Sequence, residues 1–162
     1  MTSDPTTTDV QDDPTRITVD QFYPHSPERV WRALTTPELI AQWLMPNDFR
    51  PELGHRFTMQ GRPVEATGFS GVVASTVLAI EPPRLLRISW ADAEGGNAME
   101  TTVTWTLHAE GTGTRLLLEQ VGFGADNPVD QLSRRFMSGG WRSQILTRLG
   151  ELLDAGAEEA RP

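Results

Sequence analysis

Along RITVDQF, Ile17 and Val19 alternate with polar neighbours, the period of a short half-buried strand. The period then lengthens. In HSPERVWRAL, Val30, Trp31 and Leu34 recur at helical spacing behind Ser26, Pro27 and Glu28. These three supply a cap, a first-turn proline and a carboxylate at the positive end of the helix dipole. TTPELIAQWL repeats the device, with Thr36, Pro37 and Glu38 ahead of Leu39, Ile40, Trp43 and Leu44, and Pro46 as the stop. The spacing predicts two short helices at about 27–34 and 37–44.

From Gly54 to about Gly122 the period returns to two. HRFTMQ alternates Phe57 and Met59. GFSGVVASTVLAI is rich in β-branched residues and stops at Pro82–Pro83. LLRISW sets Leu86, Ile88 and Trp90 on one face, and METTVTWTLHAE does the same with Val103, Trp105 and Leu107. After the turn EGTG comes RLLLEQV. Short turns between such runs make consecutive strands antiparallel hairpin partners. A long helix follows at roughly 128–155, capped by Asn127, opened by Pro128 and closed by Gly156. Its apolar stripe is Leu132, Phe136, Met137, Trp141, Ile145, Leu149 and Leu152. Gly139–Gly140 interrupt it, and two glycines inside a helix mark a kink or a close backbone contact. One strand, two helices, five strands and a long helix define an α+β fold with six antiparallel strands.

Several motifs then agree in kind and in order. VWRALTTPELIAQWL is followed by FRPELG, by the Pro82–Pro83 turn before a strand ending in Trp90, by TVTWTL, by GTRLLLEQVGF and by GGW with leucines downstream. This series, from about Ile17 to Leu153, resembles the family related to the activator of heat-shock protein 90 ATPase. That family belongs to the START, or birch-pollen-allergen-like, SRPBCC superfamily. The resemblance implies a helix-grip fold: a curved six-stranded antiparallel sheet around a long C-terminal helix, with two short helices after strand 1. It implies no single activity, because members share a scaffold and differ in role.

Composition narrows the alternatives. A length of 162 residues fits one domain, placed at 15–156, with an acidic disordered tail at 1–14 and a short tail at 157–162. There is no cysteine, which removes thiolate nucleophiles and cysteine-ligated metals. There is also no lysine among the 14 basic residues, which removes Schiff-base chemistry. The net charge of −8 is concentrated in the two ends and leaves a nearly neutral body. No basic stripe exists for a phosphate backbone, so nucleic acid is not an expected partner. No apolar run approaches a membrane span, and the N-terminus has neither a basic flank nor an apolar stretch. The expected location is the cytoplasm, and a homodimer is left open.

A curved sheet gripping a helix seldom fills its interior, and apolar cavities with a few polar groups are the usual small-molecule sites. The candidate ligand-binding residues are Phe57, Met59, Trp90, Trp105, Phe136 and Trp141, against the competing reading that they only pack a core. Trp31 and Trp43 suit an anchor for the helical corner. His25, His55 and His108 share no ligand spacing, so no metal and no cofactor are expected. His55, after Gly54, is the candidate general base, because imidazole titrates near neutral pH. Asp48, Glu52, Glu65 and Glu100 form no forced pair. Arg87 should face solvent, and Ser70 in GFSG lacks the context of a hydrolase elbow. The leading expectation is a protein that encloses a small hydrophobic molecule. The alternatives are a cyclase- or dehydratase-type enzyme acting on a polyketide-like or terpenoid substrate, and a protein-interaction or stress-related regulatory module.

Overall fold

The computed structural model describes residues 13–156. Strand β1 (Arg16–Tyr23) leads into α1 (Pro27–Thr35) and α2 (Pro37–Trp43). Then come β2 (Arg56–Gln60), β3 (Val72–Glu81), β4 (Leu85–Asp92), β5 (Glu100–Glu110) and β6 (Gly113–Val121). The chain ends in α3 (Pro128–Gly140) and α4 (Leu146–Asp154), joined by a π-helical turn at Trp141–Ile145. The sheet order is β1-β6-β5-β4-β3-β2, and every pairing is antiparallel. This is the helix-grip architecture. The helical corner α1–α2 carries the chain from one sheet edge to the other, and β2 to β6 form an unbroken meander.

The alternation read from the sequence sets the inner face. Ile17, Val19, Phe57, Met59, Leu86, Ile88, Trp90, Val103, Trp105 and Leu107 are all buried. A register shift between Val77 and Ala79 leaves Leu78 exposed. Arg87 faces outward and its Nε donates to Thr104 Oγ1. Four tryptophans cross the interior in series: Trp43 lies 6.3 Å from Trp105, Trp105 6.0 Å from Trp141, and Trp141 5.8 Å from Trp90, all edge-on or tilted. The Trp43 Nε1–H donates to the Ala33 carbonyl, which ties α2 to α1. The Trp105 Nε1–H is buried without a partner among the described residues.

Ser26 caps α1 by accepting from Arg29 N–H, and Asn127 caps α3 by accepting from Val129 and Asp130. Thr36 does not cap α2. Its hydroxyl turns back and donates to the Arg32 carbonyl at 2.6 Å, so α2 relies on Pro37 and Glu38 alone.

Of the two expectations for the glycine pair, the close contact with another backbone is not met: among the described residues Gly139 meets nothing within 4 Å and Gly140 only the Ile145 side chain at 3.9 Å. The pair precedes the π turn instead. The turn inserts one residue into the helical repeat, so the buried series runs Trp141, Leu146, Leu149, Leu153, and Ile145 is displaced to the margin. The Leu146 carbonyl accepts from the Tyr23 hydroxyl at 2.7 Å, and burial pushes that phenol up so that it remains a donor.

The acidic tail expected over 1–14 and the tail expected over 157–162 lie outside the described residues except for Asp13 and Pro14. Asp13 accepts from Thr15, and the Pro14 carbonyl accepts from Gln131. Among the described residues no helix is long and apolar enough to cross a membrane.

Candidate functional site

Between β2 and β3 the residues 61–71 form a compact loop whose ends meet, with Gly61 N–H donating to the Gly71 carbonyl at 2.6 Å. Within it Val64 pairs with Phe69 across a single turn of 3₁₀ helix at Glu65–Thr67. The loop is held from outside by the β4–β5 connection. The Asp92 carboxylate accepts from the Ser70 hydroxyl and from the N–H groups of Ser70, Glu94 and Asn97. Burial works against its charge, but these hydrogen bonds outweigh that and hold the carboxyl below the usual carboxylate range. Buried Asn97 completes the clamp: its Nδ2 donates to the Thr67 carbonyl at 2.7 Å and to Ser133 Oγ at 3.2 Å. At Gly68 and Gly96 the backbones touch so closely that a Cβ on either would lie 2.3 Å from the other's carbonyl oxygen.

This loop stands opposite α3 and the π turn, and a cavity of about 240 Å³ lies between them over the sheet. Val73 and Trp90 form the sheet side, and Val64, Thr67 and Phe69 the loop side. Ser133, Phe136, Met137, Trp141 and Ile145 form the helix side, with Met45 closing the end near α2. Among the described residues Arg62 is the one charged side chain of this lining. Fully buried Gln120 fixes the floor: its Oε1 accepts from Trp141 Nε1–H at 3.0 Å and its Nε2 donates to Thr101 Oγ1 at 2.9 Å. The Trp141 ring is thereby oriented, with its polar edge on Gln120.

Of the six candidate ligand-binding residues, Trp90, Phe136 and Trp141 line this cavity. Phe57, Met59 and Trp105 lie elsewhere, with Leu34, Ile40 and Trp43, around a void of only about 10 Å³ that amounts to packed core. Phe136 is 52% exposed, at the mouth, so it covers the opening more than it fills the interior. His55 is not in the lining. Its ring stacks on Phe57 at 6.0 Å and its Nε2 contacts the Asp48 carbonyl at 2.9 Å, at the opposite end of β2 from Gly61. His25 pairs with Asp154 at 2.7 Å. Among the described residues no three His, Asp or Glu side chains gather as a metal site would require.

Arg62, Val64, Phe69 and Ser133 were not legible as site residues. The loop sequence GRPVEATGFSG has no hydrophobic period, and its one signal is the bracketing by Gly61, Gly68 and Gly71. The last two adopt positive φ, which favours glycine. Chemically, the lining formed by the described residues offers apolar walls, one cation and two hydroxyls, with no imidazole or carboxylate.

A sheet wrapped on a C-terminal helix, with an apolar cavity held between them, defines a helix-grip protein of the SRPBCC superfamily. The family model described as Activator of Hsp90 ATPase homolog 1-like protein matches residues 24–154, and the chain belongs to that family. The crystal structure of protein MLL2253 from Mesorhizobium loti is 36% identical with a TM-score of 0.73, covering 86% of this chain and 97% of that one. CalU16 from Micromonospora echinospora is 26% identical with a TM-score of 0.67, over 89% of this chain and 79% of its own. An HSP90 activator from Plasmodium falciparum shares the fold at 18% identity and a TM-score of 0.67, over 86% of this chain and 96% of its own. No curated protein matches the chain.

Proposed function

We propose that the protein encloses a small hydrophobic molecule in the cavity between the sheet, the 61–71 loop and α3. The observation that carries this reading is the cavity itself: about 240 Å³, walled by aromatic and aliphatic side chains and just below the ~300 Å³ at which drug-sized ligand pockets begin. The occupant is therefore small, on the order of ten to fifteen non-hydrogen atoms. Among the described residues the lining has no histidine or carboxylate, which favours binding over acid–base turnover. The setting is the cytoplasm, and the small molecule is the partner.

Burial of ~200–300 Å² of apolar ligand surface contributes about 5–7.5 kcal/mol before association costs, so affinities in the micromolar range are expected. Trp90 and Trp141 lie in the walls, so binding should change tryptophan emission. Titration with a panel of small hydrophobic probes, read by emission and by melting temperature, is the test. His55→Ala should leave affinity unchanged. Emission and melting temperature that stay constant across the whole panel would refute the proposal.

A further inference from the structure

The reading above leaves the head group of the ligand undefined, and the polar side chains of the lining bear on it. Arg62 is exposed at the rim and makes no hydrogen bond or ion pair with a described residue. Some surface arginines are engaged, Arg115 with Glu110 and Asp20, Arg84 with Glu81, and Arg16 with Glu119. Exposed Arg32, Arg50, Arg56 and Arg135 show no such pair with a described residue, and what sets Arg62 apart from these is its place in the cavity lining. Inside the cavity, Ser133 is 5% exposed and its Oγ accepts from Asn97 Nδ2 at 3.2 Å. Because Asn97 is the donor there, the Ser133 proton stays free, and it is given to no acceptor among the described residues. Thr67 is different, since its hydroxyl donates to the Val64 carbonyl and accepts from Phe69 N–H. The side-chain groups left open in the cavity are thus the Arg62 guanidinium, a donor only, and the Ser133 hydroxyl, whose proton and second lone pair are both unused among the described residues.

We infer that the ligand is a monocarboxylate with an apolar body, its carboxylate turned to Arg62 at the rim and its body against Phe69, Trp90 and Trp141. This rests on the cavity-binding reading and adds the sign of the head group. A planar guanidinium matches a carboxylate with two parallel hydrogen bonds. A ligand ammonium at the rim would meet the like charge of Arg62, the one charged side chain of the described lining. The net charge of −8 opposes any anion at long range, so a preference for an acid has to arise locally.

Decanoate, decanol and decylamine carry the same chain and differ in the head group. Each is titrated below its aggregation concentration, following tryptophan emission and calorimetry. The expected order is decanoate, then decanol, then decylamine, with decanoate about fivefold tighter than decanol, the scale of a solvent-accessible ion pair. Arg62→Gln should abolish that preference, bringing decanoate and decanol to the same affinity, and Arg62→Lys should retain part of it. Raising the salt to 0.5 M should narrow the gap in the wild type only. Equal binding of all three, or an acid preference that survives Arg62→Gln in a variant with an unchanged melting temperature, overturns the inference and leaves the cavity reading standing. Failure of all three to bind overturns both.

Discussion

Beyond the π turn, α4 buries Leu146, Leu149, Leu152 and Leu153 in the core beside the α1–α2 corner, whereas before it α3 buries only Asp130 and Ser133 and leaves Phe136 half exposed. One helical half is thus filled with buried leucines, and the other, tied to β1 through Arg134, borders the cavity. A fully buried leucine contributes roughly 1.5–3 kcal/mol, so the stability of this region is concentrated in α4. The α3 half supplies space in place of contact. Trp141 sits at the junction, bonded to Gln120 and in edge contact with Trp90 and Trp105.

Substitution can break that division of labour, and the largest effect is expected at the junction. Trp141→Ala should cost ~3–5 kcal/mol in denaturant unfolding, through lost burial and an unpaired Gln120. Leu149→Ala, in the filled half, should cost ~2–5 kcal/mol and leave ligand affinity nearly unchanged. Asp92→Asn should cost less, about 1–2 kcal/mol, and should also change the acid limb of the stability curve. The Asp92 carboxyl is held below its unfolded value. Its contribution is therefore complete above about pH 4 and is lost as pH falls through the lower folded value. The variant should lose less stability than the wild type between pH 4 and pH 2, and parallel curves would show that the clamp does not depend on that charge. Phe136→Ala should change stability by no more than ~0.5 kcal/mol while weakening binding of hydrophobic probes. A loss of several kcal/mol at Phe136 would mean that α3 packs as α4 does.

How much of this was open to sequence reasoning depends on whether a feature has a period. Val103, Trp105 and Leu107 alternate with threonines and are buried as that alternation requires. The capping of α1 and α3, the meander and the wrapped helix follow from similarly local signals. Position along a strand is not periodic, however. Phe57, Met59 and Trp105 share the inner face with Trp90, yet they lie in packed core while Trp90 meets the cavity. The π turn was visible only as a weakness at Gly139–Gly140, because the extra residue in the repeat depends on where Trp141 and Leu146 find their partners. The 61–71 loop was invisible as a wall, since its order comes from Asp92 and Asn97, side chains distant in sequence.

The contact between Gly68 and Gly96 has a kinetic consequence. Two main chains touching without side chains between them, hydrogen-bonded on both flanks, leave that wall no soft mode through which a molecule can pass. Exchange of the occupant is then expected at the mouth, by rotation of half-exposed Phe136 on α3. Residence time becomes a property of the helix. Amide hydrogens of α3 should exchange faster than those of residues 64–71, and bound ligand should slow the former far more than the latter.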